Sequence, residues 1–140
     1  MPLKCTPSKR FRPGSLHDVA RQSLVFGGID ALLREFLDEF YKERDPARQS
    51  RMLAAEPELL MDDRANAYLA AVAEHLSRCH QLPVAPWVHD KRRFLQRPFF
   101  TAGLESLKAS QLAESPLAFR RRMIFVGQHP LSRPHHPKEK

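Results

Sequence analysis

Apolar side chains at Ile29, Leu32, Leu33, Phe36, Leu37, Phe40 and Tyr41 recur at i, i+3, i+4 spacing. Asp30, Arg34, Glu35, Asp38, Glu39, Lys42 and Glu43 fill the positions between them. Residues spaced this way share one side of a helix, so the pattern predicts an amphipathic helix with one dry face. Ser15 suits an N-cap for a helix from Leu16 to about Phe26, with Gly27-Gly28 as its stop. Asp45-Pro46 sets a cap before a proline, and starts a helix of about two turns that ends before Pro57. Asp62-Asp63 place carboxylates at the positive end of a longer helix. Its expected buried stripe is Ala65, Tyr68, Leu69, Val72, Leu76 and Cys79.

Pro83 and Pro86 end that pattern, because each disfavours helical geometry in the residue before it. A short turn around Lys91–Leu95 leads into Arg97-Pro98-Phe99-Phe100. After Gly103, the leucines at 104, 107 and 112 predict a helix to about Glu114, and Ser115-Pro116 begins another. Ile124-Phe125-Val126 reads as a short strand with no strong partner strand elsewhere. The expected fold is all-α: a single domain of about six helices over 15–129. A basic disordered leader over 1–14 and a disordered tail over 130–140 are expected to flank it.

The 140 residues allow one domain with a real core. No apolar run approaches the roughly 20 residues that span a bilayer, and no apolar stretch follows the basic start as in a secretory signal. Cys5 and Cys79 lie in unlike contexts, so no disulfide framework is expected and a reducing cytoplasm is the default setting. Charge changes the picture more. Residues 1–29 hold five basic and one acidic side chain, 30–74 six and eleven, and 75–140 twelve and four. An acidic middle between basic ends predicts either two faces with different partners or neutralisation inside the fold.

The candidate chemistry sits in the basic C-terminal half. Arg120, Arg121 and Arg122 come between the Ser115-Pro116 helix start and the apolar run Met123-Ile124-Phe125-Val126. Neighbouring helical residues are about 100° apart, so three adjacent arginines cannot all lie on one solvent-facing line. At least one should lean over an interface, a carboxylate or a bound anion. One reading is recognition of phosphate or partner carboxylates by the guanidinium fork. The other is internal pairing with the acidic middle, for which Glu74 is the carboxylate singled out. A second cluster interleaves Trp87, Phe94, Phe99 and Phe100 with His89, Lys91, Arg92, Arg93 and Arg97. Such a run suits a stacking groove for single-stranded nucleic acid, or a core with its cations turned outward; Trp87 and Phe100 are expected to be core.

Other chemistries find little in the sequence. Residues 104–113 followed by the Pro116 helix have the outline of a helix-turn-helix, but Leu117, Ala118 and Phe119 are poor base readers. His75 and Cys79 should share a helix face without the further ligands a metal site needs, so no metal or other cofactor is expected. No glycine-rich phosphate loop, nucleophile elbow or paired-histidine motif is present, and no enzymatic activity is expected.

From about Ala67 the chain carries a dense set of motifs: Ala70-Ala71-Val72-Ala73-Glu74-His75-Leu76, Pro86-Trp87, Arg93-Phe94-Leu95, Arg97-Pro98-Phe99-Phe100, Glu114 to Val126, and Leu131-Ser132-Arg133. In these it resembles a poorly characterised bacterial antitoxin-like group. The group is similar to the C-terminal region of some Cro/C1-type helix-turn-helix regulators associated with nucleotidyltransferase-type toxins. The first 60 residues lack the helix-turn-helix pattern of the larger members. The resemblance implies a cytoplasmic, non-enzymatic interaction protein that neutralises or regulates a partner protein. Arg92, Arg93, Arg97, Arg120, Arg121 and Arg122 are the expected partner-binding residues. The alternative is a DNA- or RNA-binding transcriptional regulator using the same basic patch.

Overall fold

A computed structural model describes residues 12–100, 115–126 and 131. Among them are α1 (Leu16–Phe26), α2 (Ile29–Lys42), α3 (Pro46–Ala54), α4 (Asp63–Cys79) and the single turn α5 (Leu117–Arg120). Two 3-10 turns, Pro86–His89 and Lys91–Arg93, follow α4. The two-residue strands β1 (Phe99–Phe100) and β2 (Ile124–Phe125) pair in parallel, Phe99 with Ile124 and Phe100 with Phe125. The described part is therefore helical, as expected, with this one small ladder added. The helix expected over 104–114 lies outside the described residues.

The caps follow the predicted chemistry at three of the helix starts. Ser15 accepts from the Asp18 amide, Asp45 from Ala47, and Asp62 from Arg64. Each satisfies a backbone N–H that the first helical turn leaves without a partner. Gly27 ends α1 and Gly28 caps α2, both at positive φ (72° and 67°), which a residue with a Cβ adopts at a cost. Leu32, Leu33, Phe36, Leu37 and Phe40 form the buried face of α2, as its periodicity requires.

α4 departs from a one-sided stripe. Asn66, Ala67, Leu69 to Glu74, Leu76 and Ser77 are all buried, whereas Ala65 and Tyr68 are half-buried and Cys79 is exposed. The alanines at 67, 70, 71 and 73 allow close approach from several sides. α3, α5 and both 3-10 turns pack on this helix, and α1 packs on α2 and α3. A helix dry nearly all round is a central helix.

The domain also reaches beyond 15–129. Arg12 pairs with Asp38 at 3.3 Å and Glu39 at 2.8 Å, and Pro13 is buried. At the other end Leu131 is buried, and its carbonyl accepts a 2.9 Å bond from the Tyr41 hydroxyl.

Ser115 does not act as a cap. Its hydroxyl donates to the Val126 carbonyl at 3.0 Å and accepts from the Val126 amide at 2.9 Å, closing the base of the α5–β2 hairpin. Pro116 stands at the N-cap position of α5 instead. Val126 is buried, and a buried amide left unpaired costs more than a missing cap.

α4 ends in a Schellman-type turn. The Leu82 amide bonds the Ser77 carbonyl at 2.8 Å, Leu82 is buried, and Gln81 takes the left-handed conformation at φ 59°. That conformation favours glycine. Because Gln81 is exposed, Gln81→Gly is expected to raise stability by about 0.5–1 kcal/mol, read as a higher urea midpoint with unchanged slope.

Candidate functional site

The arginines that stand out in the sequence separate by position. Arg93 and Arg122 are each 0% exposed. Neither presents a guanidinium edge to a partner, contrary to the expected partner-binding role. Arg122 donates through Nη1 to Glu74 Oε1 at 2.6 Å and to the Ala118 carbonyl at 2.7 Å, and through Nη2 to the Val88 carbonyl at 2.7 Å. Its planar face lies 4.5 Å from the centre of the Phe94 ring. Arg93 donates to the carbonyls of Asn66 at 3.2 Å and Pro57 at 2.7 Å, approaches Glu56 at 3.6 Å, and stacks at 4.8 Å on Trp87.

Glu74 makes the internal pairing expected of it, and makes it three times over. Beside the Arg122 bond, its Oε2 receives Arg121 Nη1 at 2.7 Å, Arg78 Nε at 2.8 Å and Arg78 Nη2 at 2.7 Å. Burial pushes the Glu74 pKa up and is the largest single influence. The hydrogen bonds from Arg122 and Arg78, with the charges of Arg122 and Arg121, together outweigh it and hold the pKa below 4.5. Arg78 was not singled out, although its i+4 spacing from Glu74 was a readable signal.

Arg120 is exposed but folds back, with Nε and Nη2 both on the Ser115 carbonyl at 3.3 and 2.9 Å. Arg92 is exposed and held by Asp90 through a double contact, Nε to Oδ1 at 3.1 Å and Nη2 to Oδ2 at 2.6 Å. That fork pulls the Asp90 carboxyl down to about 2. Arg97 is exposed, and no side-chain acceptor meets it among the described residues.

Arg92 and Arg97 line an open groove of about 870 Å³ with Met61, Arg64, Lys91 and Phe99, and the carboxylates of Asp62 and Asp63 line it too. Met61 is 98% exposed. No local pattern joins Met61 and Arg64 to this cluster, since they stand well before it in the chain, in an unpatterned loop and the first turn of α4. The aromatic rings of the cluster already carry the protein's own cations. Arg64 covers Phe99 at 4.7 Å, Arg122 and Arg121 cover Phe94 at 4.5 and 5.6 Å, and Arg93 covers the buried Trp87. The Trp87 indole N–H donates to the Leu53 carbonyl at 3.1 Å, fixing it as core. The Phe100 side chain is outside the described residues.

The would-be recognition helix from Pro116 is one turn long, with Ala118, Phe119 and Arg122 buried. It does not expose the row of side chains that reads a groove. His75 and Cys79 share a face as their spacing requires, with Sγ 3.6 Å from Nε2. Burial raises the thiol pKa, and burial plus the charge of His80 lowers that of His75, the opposite of an activated thiolate–imidazolium pair. Among the described residues no three His, Cys, Asp or Glu side chains are grouped to hold a metal ion. No described helix is long and apolar enough to cross a membrane. Comparison with models of protein families, with curated proteins and with solved structures finds no match.

Removing one partner of a buried ion pair strands the other charge, so Glu74→Gln is expected to cost roughly 3–5 kcal/mol of unfolding free energy. Urea unfolding followed by circular dichroism measures this, and a loss under about 1 kcal/mol would contradict a central role for the pair. The pH dependence has a definite sign. The folded pKa of Glu74 lies below its ordinary 4.5, so its contribution is whole above that value and lost as the pH falls through the folded value. The acid limb of a stability–pH profile should therefore be shallower in Glu74→Gln than in the parent.

Proposed function

We propose that this protein is a non-enzymatic interaction module that binds a partner protein through the basic groove between the start of α4 and the segment 91–99. The observation that carries this reading is Met61, almost wholly exposed among Lys91, Arg92 and Arg97. A flexible thioether in a groove that four cations line, against the two carboxylates of Asp62 and Asp63, fits a partner segment that carries acidic side chains around an apolar one. Single-stranded nucleic acid fits less well, because bases need open aromatic faces and those of Phe94, Phe99 and Trp87 carry guanidiniums.

Of the arginines expected to bind, this reading keeps Arg92 and Arg97 at the groove and assigns Arg93 and Arg122 to its foundation. The C-terminal resemblance to antitoxin-like proteins supplies the partner class to try first, a nucleotidyltransferase-type toxin in the bacterial cytoplasm. Binding there would neutralise or regulate the partner without chemistry by this chain.

The test is affinity capture from the native host, comparing the parent with Met61→Lys and with the Arg92→Glu/Arg97→Glu double variant. Arg34→Glu, on the exposed face of α2, serves as the control. The expected result is a stoichiometric protein retained by the parent and the control, and bound about tenfold or more weakly by both groove variants. Equal retention by the groove variants would overturn the reading. So would nucleic acid as the sole bound species, released at moderate salt as phosphate contacts require.

A further inference from the structure

We propose that Arg78 and Arg121, held side by side by Glu74, form a receptor for one small oxyanion, a phosphate or carboxylate group. The reading is independent of the groove and rests on how Glu74 divides its two oxygens. The inner oxygen, Oε1, is taken by the buried Arg122. The outer oxygen, Oε2, takes Arg121 Nη1 and Arg78 Nη2, each at 2.7 Å, so these two nitrogens lie within twice 2.7 Å of each other. Two like charges that close are an unstable pairing unless anions surround them.

One carboxylate faces three guanidiniums here, and no second acidic side chain meets them among the described residues. The surplus charge is not sealed in the core. The Arg78 side chain is 50% exposed and that of Arg121 is 32% exposed. Each keeps donors that Glu74 does not use: Nη1 on Arg78, and Nε and Nη2 on Arg121.

These are the components of an oxyanion site. Guanidinium presents its N–H groups in a planar fork that matches the paired oxygens of carboxylate and phosphate. Glu74 fixes two long side chains in advance, and the ring of Phe94 lies under Arg121 at 5.6 Å. A ligand that meets arranged donors loses less conformational freedom on binding than one that must gather them. An oxyanion bridging Arg78 and Arg121 from the solvent side would leave Glu74 in place and balance one of the surplus charges. Arg121 thus keeps the anion-binding role that its sequence position suggests, with Arg78 and not Arg120 as its companion.

The test is an NMR titration of the arginine Nε–Hε signals of the whole chain with inorganic phosphate and, separately, with acetate, at constant ionic strength set by chloride. Saturable shifts at Arg78 and Arg121, absent at the exposed Arg97, are expected with at least one of the two anions. Phosphate alone would identify a phosphate receptor, acetate alone a carboxylate receptor, and both a general oxyanion site. Arg78→Gln and Arg121→Gln should each weaken the binding about tenfold. Arg78→Lys and Arg121→Lys keep the charge that balances Glu74 but lose the fork, and should weaken binding while the fold is retained. Linear shifts of equal size at Arg78, Arg121 and Arg97 would overturn the proposal. Full-strength binding in the folded lysine variants would do the same. Because Met61 and Arg97 are not involved, a failed groove leaves this result standing, and the converse holds.

Discussion

The described segments that pack on α4 from the C-terminal side meet at a carboxylate placed where carboxylates are most costly. Glu74 is fully buried in the middle of the central helix and meets the guanidinium of the equally buried Arg122 at 2.6 Å. Removing two ions from water costs several kcal/mol each, and their attraction recovers this only if the remaining polar atoms are also satisfied. Arg122 meets most of that demand by donating to the Ala118 and Val88 carbonyls. One side chain thus joins α4, the single turn α5 and the 3-10 turn at 86–89. An apolar residue of similar size would fill the space at less expense. It would leave both carbonyls without a donor, and nothing would specify which way α5 faces.

Arg93 applies the same solution to the other irregular stretch. The loop between α3 and α4 has no ladder to take up its backbone groups, so side chains do it. Arg93 bonds the Pro57 carbonyl, and Asn66 bonds both the amide and the carbonyl of Leu60, at 2.7 and 2.9 Å. A chain with long non-helical connections must satisfy buried peptide groups by some route, and guanidinium offers five donors on one rigid plane. Two of the arginines that looked like a binding surface in the sequence, Arg93 and Arg122, are therefore part of the scaffold. In a chain with a net charge of +7, the acidic middle meets these buried cations through Glu74 and Glu56.

How much of this could be read in the sequence follows from the range of each interaction. The helix Ile29–Lys42 and the caps at Ser15, Asp45 and Asp62 depend on neighbours within a turn, and all were legible. The geometric rule that three adjacent arginines cannot all face water left an interface, a carboxylate or a bound anion open for one of them, and the structure puts both Arg122 and Arg121 on the carboxylate of Glu74. Ser115 was misread because Ser-Pro is a strong local cap signal, whereas its actual partner, Val126, is eleven positions away. The β1–β2 pair escaped notice for a similar reason. Two residues per strand carry no period, and Phe99 and Ile124, which pair, stand 25 positions apart. Arg93 offered no local signal either, since its acceptors are 27 and 36 residues away.

The distinction between a scaffold arginine and a recognition arginine is one of spare donors, not of sequence context. Arg120, Arg121 and Arg122 are consecutive, yet Arg122 is buried, Arg120 closes on the Ser115 carbonyl, and Arg121 gives Glu74 a single nitrogen. The first two hold the protein's own backbone, Arg120 at the Ser115 carbonyl and Arg122 at those of Ala118 and Val88. Arg121 is different: Glu74 is already satisfied by Arg122 and Arg78 without it. A third guanidinium at that carboxylate adds repulsion that the fold does not need, and burial does not remove it. Partly exposed and lying over the Phe94 ring, it keeps Nε and Nη2 clear of Glu74, and the surplus charge of the cluster is there within reach of solvent.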